Sequence, residues 1–403
     1  MTHVLIVGAG PAGAGLAHLL AHRGVEVTLL ERQRDFAREF RGEVLMPSGI
    51  EVLEQMGLAE ALRAVPCQIQ DSISIYLNRR QLFEQTFSLE ALRGHFPSAI
   101  SQPGLLEILV GEAGKSPNFR FERGVSVKDL WIEGDRVVGV RGRSEEGERS
   151  WRADLVIGAD GRASVVRKHG GFVARQVNPP MDVVWCKMPV PTDWEGAQLH
   201  AGRGHLLIGY RSWDGNLQLA WVILKGTFGE LKSRGIDEWV AEMAQHVPPA
   251  LAAHLRTHAD SVTKPFLLDS VSDCVDRWSV PGALLIGDAA HTMSPVGGQG
   301  LNIALRDTIV AANHLVPVLT DAKLDVSRLA AALHRIEAER MPEVALIQRL
   351  QAQPPKVMLS RAWWGEPVRS LLGLLLRSER LRSVLARPAS VFPFGSTEVR
   401  LRV

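Results

Sequence analysis

Val4-Leu5-Ile6-Val7-Gly8-Ala9-Gly10-Pro11-Ala12-Gly13 decides the fold. Its first four residues are apolar and mostly β-branched, and they read as a strand buried on both faces. A G-x-G-x-x-G turn follows. Ala14, Leu16, Ala17, Leu19 and Leu20 then recur at helical spacing until Gly24. Val25 to Leu30 forms a second strand closed by Glu31. Strand, glycine turn, helix, strand and acid, in that order, mark a dinucleotide-binding unit. Gly8 permits the tight turn, Gly10 lets backbone approach a pyrophosphate, and Gly13 lets helix and strand pack closely. The helix start, with Ala12 in its first turn, offers unpaired N–H groups to phosphates. Glu31 accepts hydrogen bonds from a ribose diol, and a carboxylate there disfavours a 2′-phosphate. The glycines alone would also suit an ordinary turn of an α/β protein. The flanking strands, helix and acid make the motif specific.

Two later stretches repeat the theme. Ala153 to Gly161 reads A-D-L-V-I-G-A-D-G, a buried strand ending in Asp160-Gly161. Gly282 to Asp288 reads G-A-L-L-I-G-D, another buried strand ending in Gly287-Asp288. It continues through His291 to Pro295-Val296-Gly297-Gly298-Gln299-Gly300-Leu301-Asn302, where a second helix opens. An acid at a strand end, followed by a glycine-rich turn into a helix, can bind a sugar hydroxyl and present N–H groups to another polar ligand.

Together, G-x-G-x-x-G, D-G and G-D with P-x-G-x-G-x-N are far more specific than any one of them. In order and spacing they resemble the FAD-dependent aromatic monooxygenases of the para-hydroxybenzoate hydroxylase type, the group A flavoprotein hydroxylases. The resemblance covers nearly the whole chain. It implies an α/β fold: a Rossmann-like FAD-binding domain interleaved with an antiparallel β-sheet substrate domain, plus C-terminal helices. The expected division is FAD-binding at 1–71, 99–171 and 269–326, a substrate-domain hairpin at 72–98, the substrate domain at 172–268, and a helical region at 327–403.

The resemblance also implies residue roles. Gly8, Gly10, Gly13 and Glu31 hold the ADP half of FAD, and Asp288 the ribityl chain. Leu301 and Asn302 meet the isoalloxazine through backbone N–H groups beside Gly298 and Gly300. Pro295 lines the substrate side of the flavin, and Asp160 lies between cofactor and NAD(P)H chemistry. Arg32 follows the ribose acid. Arg41 resembles an arginine that touches FAD phosphates, Gln102 a flavin-side polar residue, and Arg167 an arginine involved in NADPH use. The competing reading of these arginines is a solvated helix face.

Residues 172 to 268 have another texture, with Trp185, Trp194, Trp213, Trp221 and Trp239 among alternating stretches such as Gln218 to Ile223. That texture suggests an antiparallel sheet with one face over a pocket, joined by a hairpin from Ser72 to Leu89. Tryptophans in such a sheet are more often core than ligand cage. Arg211 matches the position of the family's substrate-carboxylate arginine. Gly209 replaces a hydroxyl residue there, and Gln198 stands where a phenol-activating tyrosine is expected. With two tyrosines in the chain, Tyr76 and Tyr210, the family's tyrosine pair cannot be intact. A different phenol, a heteroaromatic or a polyketide-like ring therefore fits better than para-hydroxybenzoate. His291 has two readings, an acid–base group or a structural histidine at the turn, and the second is favoured until geometry shows otherwise. Asp307 is expected to brace the loop.

Composition narrows the rest. The chain has 403 residues with 46 basic against 44 acidic, which gives no electrostatic case for nucleic acid. Three scattered cysteines, Cys67, Cys186 and Cys274, lack metal spacing and point to free thiols in a reducing, cytoplasmic setting. No signal peptide or spanning segment is expected. The short amphipathic stretch Arg369 to Arg377 packs on the body or a second copy, as in a homodimer, or lies on a membrane surface.

No metal cluster or nucleophile triad is apparent, so the chemistry expected is the flavin's. NAD(P)H is the expected co-substrate. The resemblance implies that dioxygen would add at flavin C4a and that the resulting hydroperoxide would pass its distal oxygen to an aromatic ring. Three rivals share parts of the sequence: a flavin-dependent halogenase, which should carry W-x-W-x-I-P; an FAD dehydrogenase or reductase; and a flavin protein that binds a ligand without turnover.

Overall fold

The computed structural model describes residues 2–37, 43–177, 179–202, 204–262, 265–360 and 362–403. Arg41, singled out from sequence, lies outside the described residues. The strand His3–Val7 is central in a six-stranded sheet. The order is Ser279–Val280, Ala283–Leu285, Leu155–Gly158, His3–Val7, Glu26–Glu31 and Phe119–Arg123. All pairs are parallel except the first. Val4, Leu5, Ile6, Leu155, Val156 and Ile157 are fully buried, as strands covered on both faces must be.

Helix Pro11–His22 follows the first strand and is buried from Ala12 to Ala21. The long helix Gln299–Leu319 packs against it. A Cβ on Gly15 would come within 3.2 Å of the Thr308 side chain, so a glycine permits this close crossing. A three-stranded antiparallel meander, Ser126–Glu133, Arg136–Ser144 and Gly147–Arg152, adjoins the parallel sheet.

A second sheet has seven strands: Phe266–Leu268, Met181–Met188, Leu217–Leu224, His205–Arg211, Ala197–Gly202, Ser72–Leu77 and Arg80–Thr86. It is antiparallel except for the parallel pair Ala197–Gly202 with Ser72–Leu77. Strict alternation gives it two distinct faces. One face carries Val184, Leu207, Leu219 and Trp221, covered by helices Ile236–Ala244 and Pro249–Thr257 through Trp239, Met243 and Leu255. These helices fall in a stretch whose sequence texture suggested sheet alone. The other face carries Val183, Ala201, Leu206, Ala220 and Val222 and packs against Val296, Met358 and Leu359. That second face therefore looks toward the glycine loop of the parallel-sheet body.

The C-terminal region is helical through Val326–Gln351, Gln353–Met358, Gly365–Arg377, Glu379–Ala386 and Val391–Phe394. Its last nine residues are not helical, a departure from the all-helical expectation. They run along the body, where Leu401 N donates to Gln55 Oε1 at 2.7 Å and Asn313 Nδ2 donates to Arg400 O at 2.7 Å. Leu371 and Leu374 on Gly365–Arg377 are exposed, as is Trp363 just before it. Among the described residues no helix is long and apolar enough to cross a membrane.

Candidate active site

Two helix starts converge on the C-terminal edge of the parallel sheet. At the first, Gly8 adopts φ +99°, and a Cβ on Gly13 would sit 1.9 Å from Gly8 O. Only a glycine at 13 lets the helix lie this close to the turn. A Cβ on Gly10 would meet nothing within 4 Å. The fold itself does not need the space, so this glycine leaves the backbone surface open. Gly10 caps the helix without a side-chain bond, so the first-turn N–H groups are left for another acceptor. Ala12 is buried beneath them, and a Cβ on Gly287 would touch it at 2.9 Å.

Glu31 ends its strand and folds back. Its Oε2 accepts from Ala9 N and its Oε1 from Gln33 N, each at 2.9 Å. The acid thus fixes the glycine turn as well as offering the acceptor capacity a ribose diol needs. Arg32 beside it is exposed.

The second helix start is Gly298, in the left-handed region at φ +62°, with no side-chain cap. A Cβ on Gly300 would again meet nothing within 4 Å. The N–H groups of Gln299, Gly300 and Leu301 have no acceptor inside the helix. Asn302 is fully buried. Its Oδ1 accepts from Met46 N at 2.8 Å, and its Nδ2 donates to Gly298 O at 2.8 Å and Val44 O at 3.2 Å. Pro295 is half-buried at the head of the loop. The C-terminal helices brace the loop from behind. Gln351 Nε2 donates to Ser294 O at 2.8 Å and Val296 O at 2.6 Å, and Gln299 Nε2 to Phe392 O at 2.9 Å. These braces were not visible in sequence, because nothing local links residue 351 to residue 294.

Asp288 is half-buried beside the first helix start, with Arg162 Nε at 3.4 Å from its Oδ2. Gln102 is the first residue of helix Gln102–Ala113, whose cap is Ser101 Oγ accepting from Gly104 N at 3.3 Å.

Three expectations change, and His291 keeps the structural reading favoured for it. The Asp160 carboxylate accepts from Ser164 Oγ at 2.5 Å and Val165 N at 2.7 Å. It takes up the first N–H groups of the short helix Val165–His169, whose cap is Ser164, while its backbone lies against Gly8. Burial pushes its pKa up, against those bonds. Arg167 is not on a solvated face. Its guanidinium pairs with Asp273 at 3.1 Å, and Asp273 Oδ1 accepts from Thr292 N at 3.0 Å. His291 is 1% exposed, and its Nε2 lies 2.7 Å from Asp307 Oδ2. It belongs to a buried network in which Asp307 also accepts from Gly287 N at 3.0 Å and from Arg340 Nε at 2.8 Å. That place suits the structural histidine, since an acid–base group must reach substrate. Arg211 pairs with Leu217 across the sheet, so strand alternation puts it on the helix-covered face with Leu207 and Leu219. Gln198 is on that face too, 3.2 Å from His200 Nε2.

The residues that sequence reasoning missed sit where the second sheet meets the body. Glu43 is buried next to the strand Val44–Leu45. It accepts from Ser212 Oγ at 2.9 Å and Trp213 Nε1 at 3.0 Å, with Lys187 Nζ 3.7 Å away. Burial raises its pKa, opposed by Lys187. Tyr210 is buried on the body-facing side, edge-on to Trp185. Its pKa is pushed well up by burial and by the Glu43 charge, which keeps the phenol protonated. The signal was present in the period of the strand His205–Arg211, which separates residue 210 from residue 211.

Two uncapped, glycine-opened helix starts and an acid at a strand end suit the phosphates, ribose and flavin ring of one extended dinucleotide. The chain matches the family described as FAD binding domain over residues 1–342 and belongs to that family of flavin-dependent oxidoreductases. It is 33% identical over its whole length to 94% of a 6-methylpretetramide 4-monooxygenase of Streptomyces rimosus. Its fold is similar to the p-nitrophenol 4-monooxygenase of Pseudomonas putida, with TM-score 0.81 at 17% identity, covering 99% of this chain and 100% of that one. It is also similar to a probable FAD-dependent monooxygenase of Pseudomonas aeruginosa, with TM-score 0.75 at 24% identity, covering 89% and 97%. The chain is an FAD-dependent monooxygenase of the aromatic hydroxylase kind.

Proposed function

We propose that the enzyme uses NAD(P)H and dioxygen to insert one oxygen atom into an aromatic or polycyclic ring. The observation that carries this reading is the placement of the loop 295–302. It opens a helix start toward the cofactor cradle while its Val296 packs on the body-facing side of the second sheet. A ring held between that sheet and the loop would lie against the flavin. Bound FAD would supply reducing equivalents and activate dioxygen. Gly8, Gly10, Gly13 and Glu31 would hold its ADP half, Asp288 its ribityl chain, and the first-turn N–H groups near Leu301 its ring. The protein's own part is to position the ring and keep water out, because activated oxygen otherwise leaves as hydrogen peroxide. The single glycine fingerprint supports NAD(P)H visiting without a second Rossmann site. The relative acting on 6-methylpretetramide supports a polycyclic substrate. Free cysteines fit a cytoplasmic setting.

A halogenase is disfavoured by the position of Trp221. It is 1% exposed and packs with the helix-covered face, away from the loop. The test follows NAD(P)H oxidation by FAD-loaded enzyme with a panel of phenols, quinolones and polycyclic aromatics, trapping peroxide in parallel. Stimulation by one ring class with little peroxide is expected. Absence of oxidation with every compound, while dithionite still bleaches the flavin, overturns direct NAD(P)H use.

A further inference from the structure

The body-facing side of the second sheet is largely apolar, but one row across it is polar. Lys187, Gln218 and Tyr210 are successive cross-strand partners there. Directly opposed side chains on one face lie within contact distance of each other. Lys187 is satisfied, with Ser212 Oγ at 3.0 Å and Asp214 Oδ2 at 2.7 Å. The other two are not. Tyr210 is 5% exposed and Gln218 1%, yet the Tyr210 hydroxyl and Gln218 Oε1 have no hydrogen-bond partner. Native proteins leave few buried polar atoms unpaired, and such atoms ask for an explanation.

The chemistry of the pair is defined. Gln218 Nε2 donates to Cys186 O at 3.1 Å. A carbonyl can only accept, so the amide is fixed with its nitrogen toward Cys186, and the unpaired atom is the oxygen. Oε1 can therefore only accept. The Tyr210 hydroxyl is held protonated and can donate. Around them the same face offers Ala220, Leu206 and Val222, with Val296 of the glycine loop packed against it. A mostly apolar lining with a few placed polar groups is how small-molecule sites are built.

We propose that Tyr210 and Gln218 are the specificity-determining pair of this site, reading a ring system that bears a hydroxyl beside a carbonyl. The Tyr210 hydroxyl donates to the carbonyl, and the ligand hydroxyl donates to Gln218 Oε1. This rests on the monooxygenase reading and narrows its substrate class to hydroxylated polycyclic ketones or quinones. A site built around such groups rejects the analogue that lacks them, because its own buried atoms would then stay unpaired.

The test titrates FAD-loaded enzyme with 1,8-dihydroxyanthraquinone and with its 1,8-dimethoxy counterpart, following the flavin difference spectrum. Wild type should bind the dihydroxy compound at least about tenfold more tightly. Tyr210→Phe should retain flavin but weaken binding of both compounds by about three- to tenfold, because both carry the carbonyl. Gln218→Met should reduce the preference to within about twofold, while retaining flavin and the weaker affinity for the dimethoxy compound. Retained flavin and that affinity exclude misfolding as the cause. Equal binding of both compounds by wild type overturns the proposal. So does a preference that survives Gln218→Met, or an affinity for both compounds that Tyr210→Phe leaves unchanged, as a trapped water or a direct Tyr210–Gln218 bond would give. If no ring perturbs the flavin and none stimulates NAD(P)H oxidation, the monooxygenase reading falls as well.

Discussion

The Asn302 carboxamide oxygen accepts the Met46 N–H at 2.8 Å, and this one side chain clamps two segments that are 256 residues apart in sequence. Its nitrogen holds Gly298 O and Val44 O on either side. The fit is tight, since a Cβ on Gly49 would come 2.3 Å from Asn302 Oδ1. The clamp sets the helix start at Gly298 against the segment that carries Glu43, so cofactor cradle and sheet contact share one anchor. Asn302→Ala removes all three bonds. At about 1 kcal/mol each, affinity for FAD should fall by at least roughly tenfold. Fluorescence titration of apoprotein with FAD measures it, and an unchanged Kd would show that the clamp only holds the fold.

Gly10 and Gly13 belong to one motif but do different work. Gly10→Ala adds a methyl group to open space, so apoprotein stability should stay within about 0.5 kcal/mol of wild type, while FAD binding is lost. Gly13→Ala drives a methyl group into Gly8 O, and the apoprotein itself should melt lower, by about 2 kcal/mol or more. Paired thermal melts without FAD separate the two. Equal melting temperatures for both variants would refute this division of labour.

The contrast between these glycines shows what was legible in sequence. Strand burial and glycine spacing are local, so the βαβ unit, Glu31 and the two later strand ends could be read from short windows. The parallel body and the hairpin from Ser72 sharing a sheet with 181–268 follow from the same patterns. The side-chain partners could not be read this way. Asp160 binds the first N–H groups of a helix, Arg167 meets Asp273, and Glu43 reaches Ser212 and Trp213 across 169 and 170 residues. Arg211 rested on the resemblance alone, whereas the strand period pairs it with Leu217 on the helix-covered face.

The brace behind the loop gives a prediction about coupling. Gln351 is 1% exposed, and its amide nitrogen holds the carbonyls of Ser294 and Val296 on either side of Pro295. Gln351→Leu keeps the volume and removes both bonds. The loop should then close less well over the flavin, and more of the activated oxygen should escape as peroxide. With a stimulating ring present, the peroxide formed per NAD(P)H consumed should rise about two- to fivefold. An unchanged ratio with lowered thermal stability would confine Gln351 to a folding role.

The ion network under the loop predicts an acid limb. Burial alone would raise the carboxyl of Asp307, but His291 and Arg340 outweigh it and hold the pKa at about 2. Arg340 and Arg306 do the same for Glu343, also at about 2. Both values lie below the ordinary 3.8 and 4.5. Between the two limits the unfolded chain binds more protons than the folded one, so stability rises with pH there. The stabilisation is fully present above about pH 5 and is lost as pH falls toward 2. Melting temperature should therefore drop steeply below about pH 4.5, with two carboxyl groups contributing. Asp307→Asn should lower stability at neutral pH by about 3–5 kcal/mol, because it strips the buried Arg340 of a charged partner. It should also make the acid limb shallower, since one of the two titrating groups is gone. Calorimetry of both proteins from pH 7 to the acid limit tests this. Parallel limbs would mean that the acid sensitivity arises outside the Asp307 network.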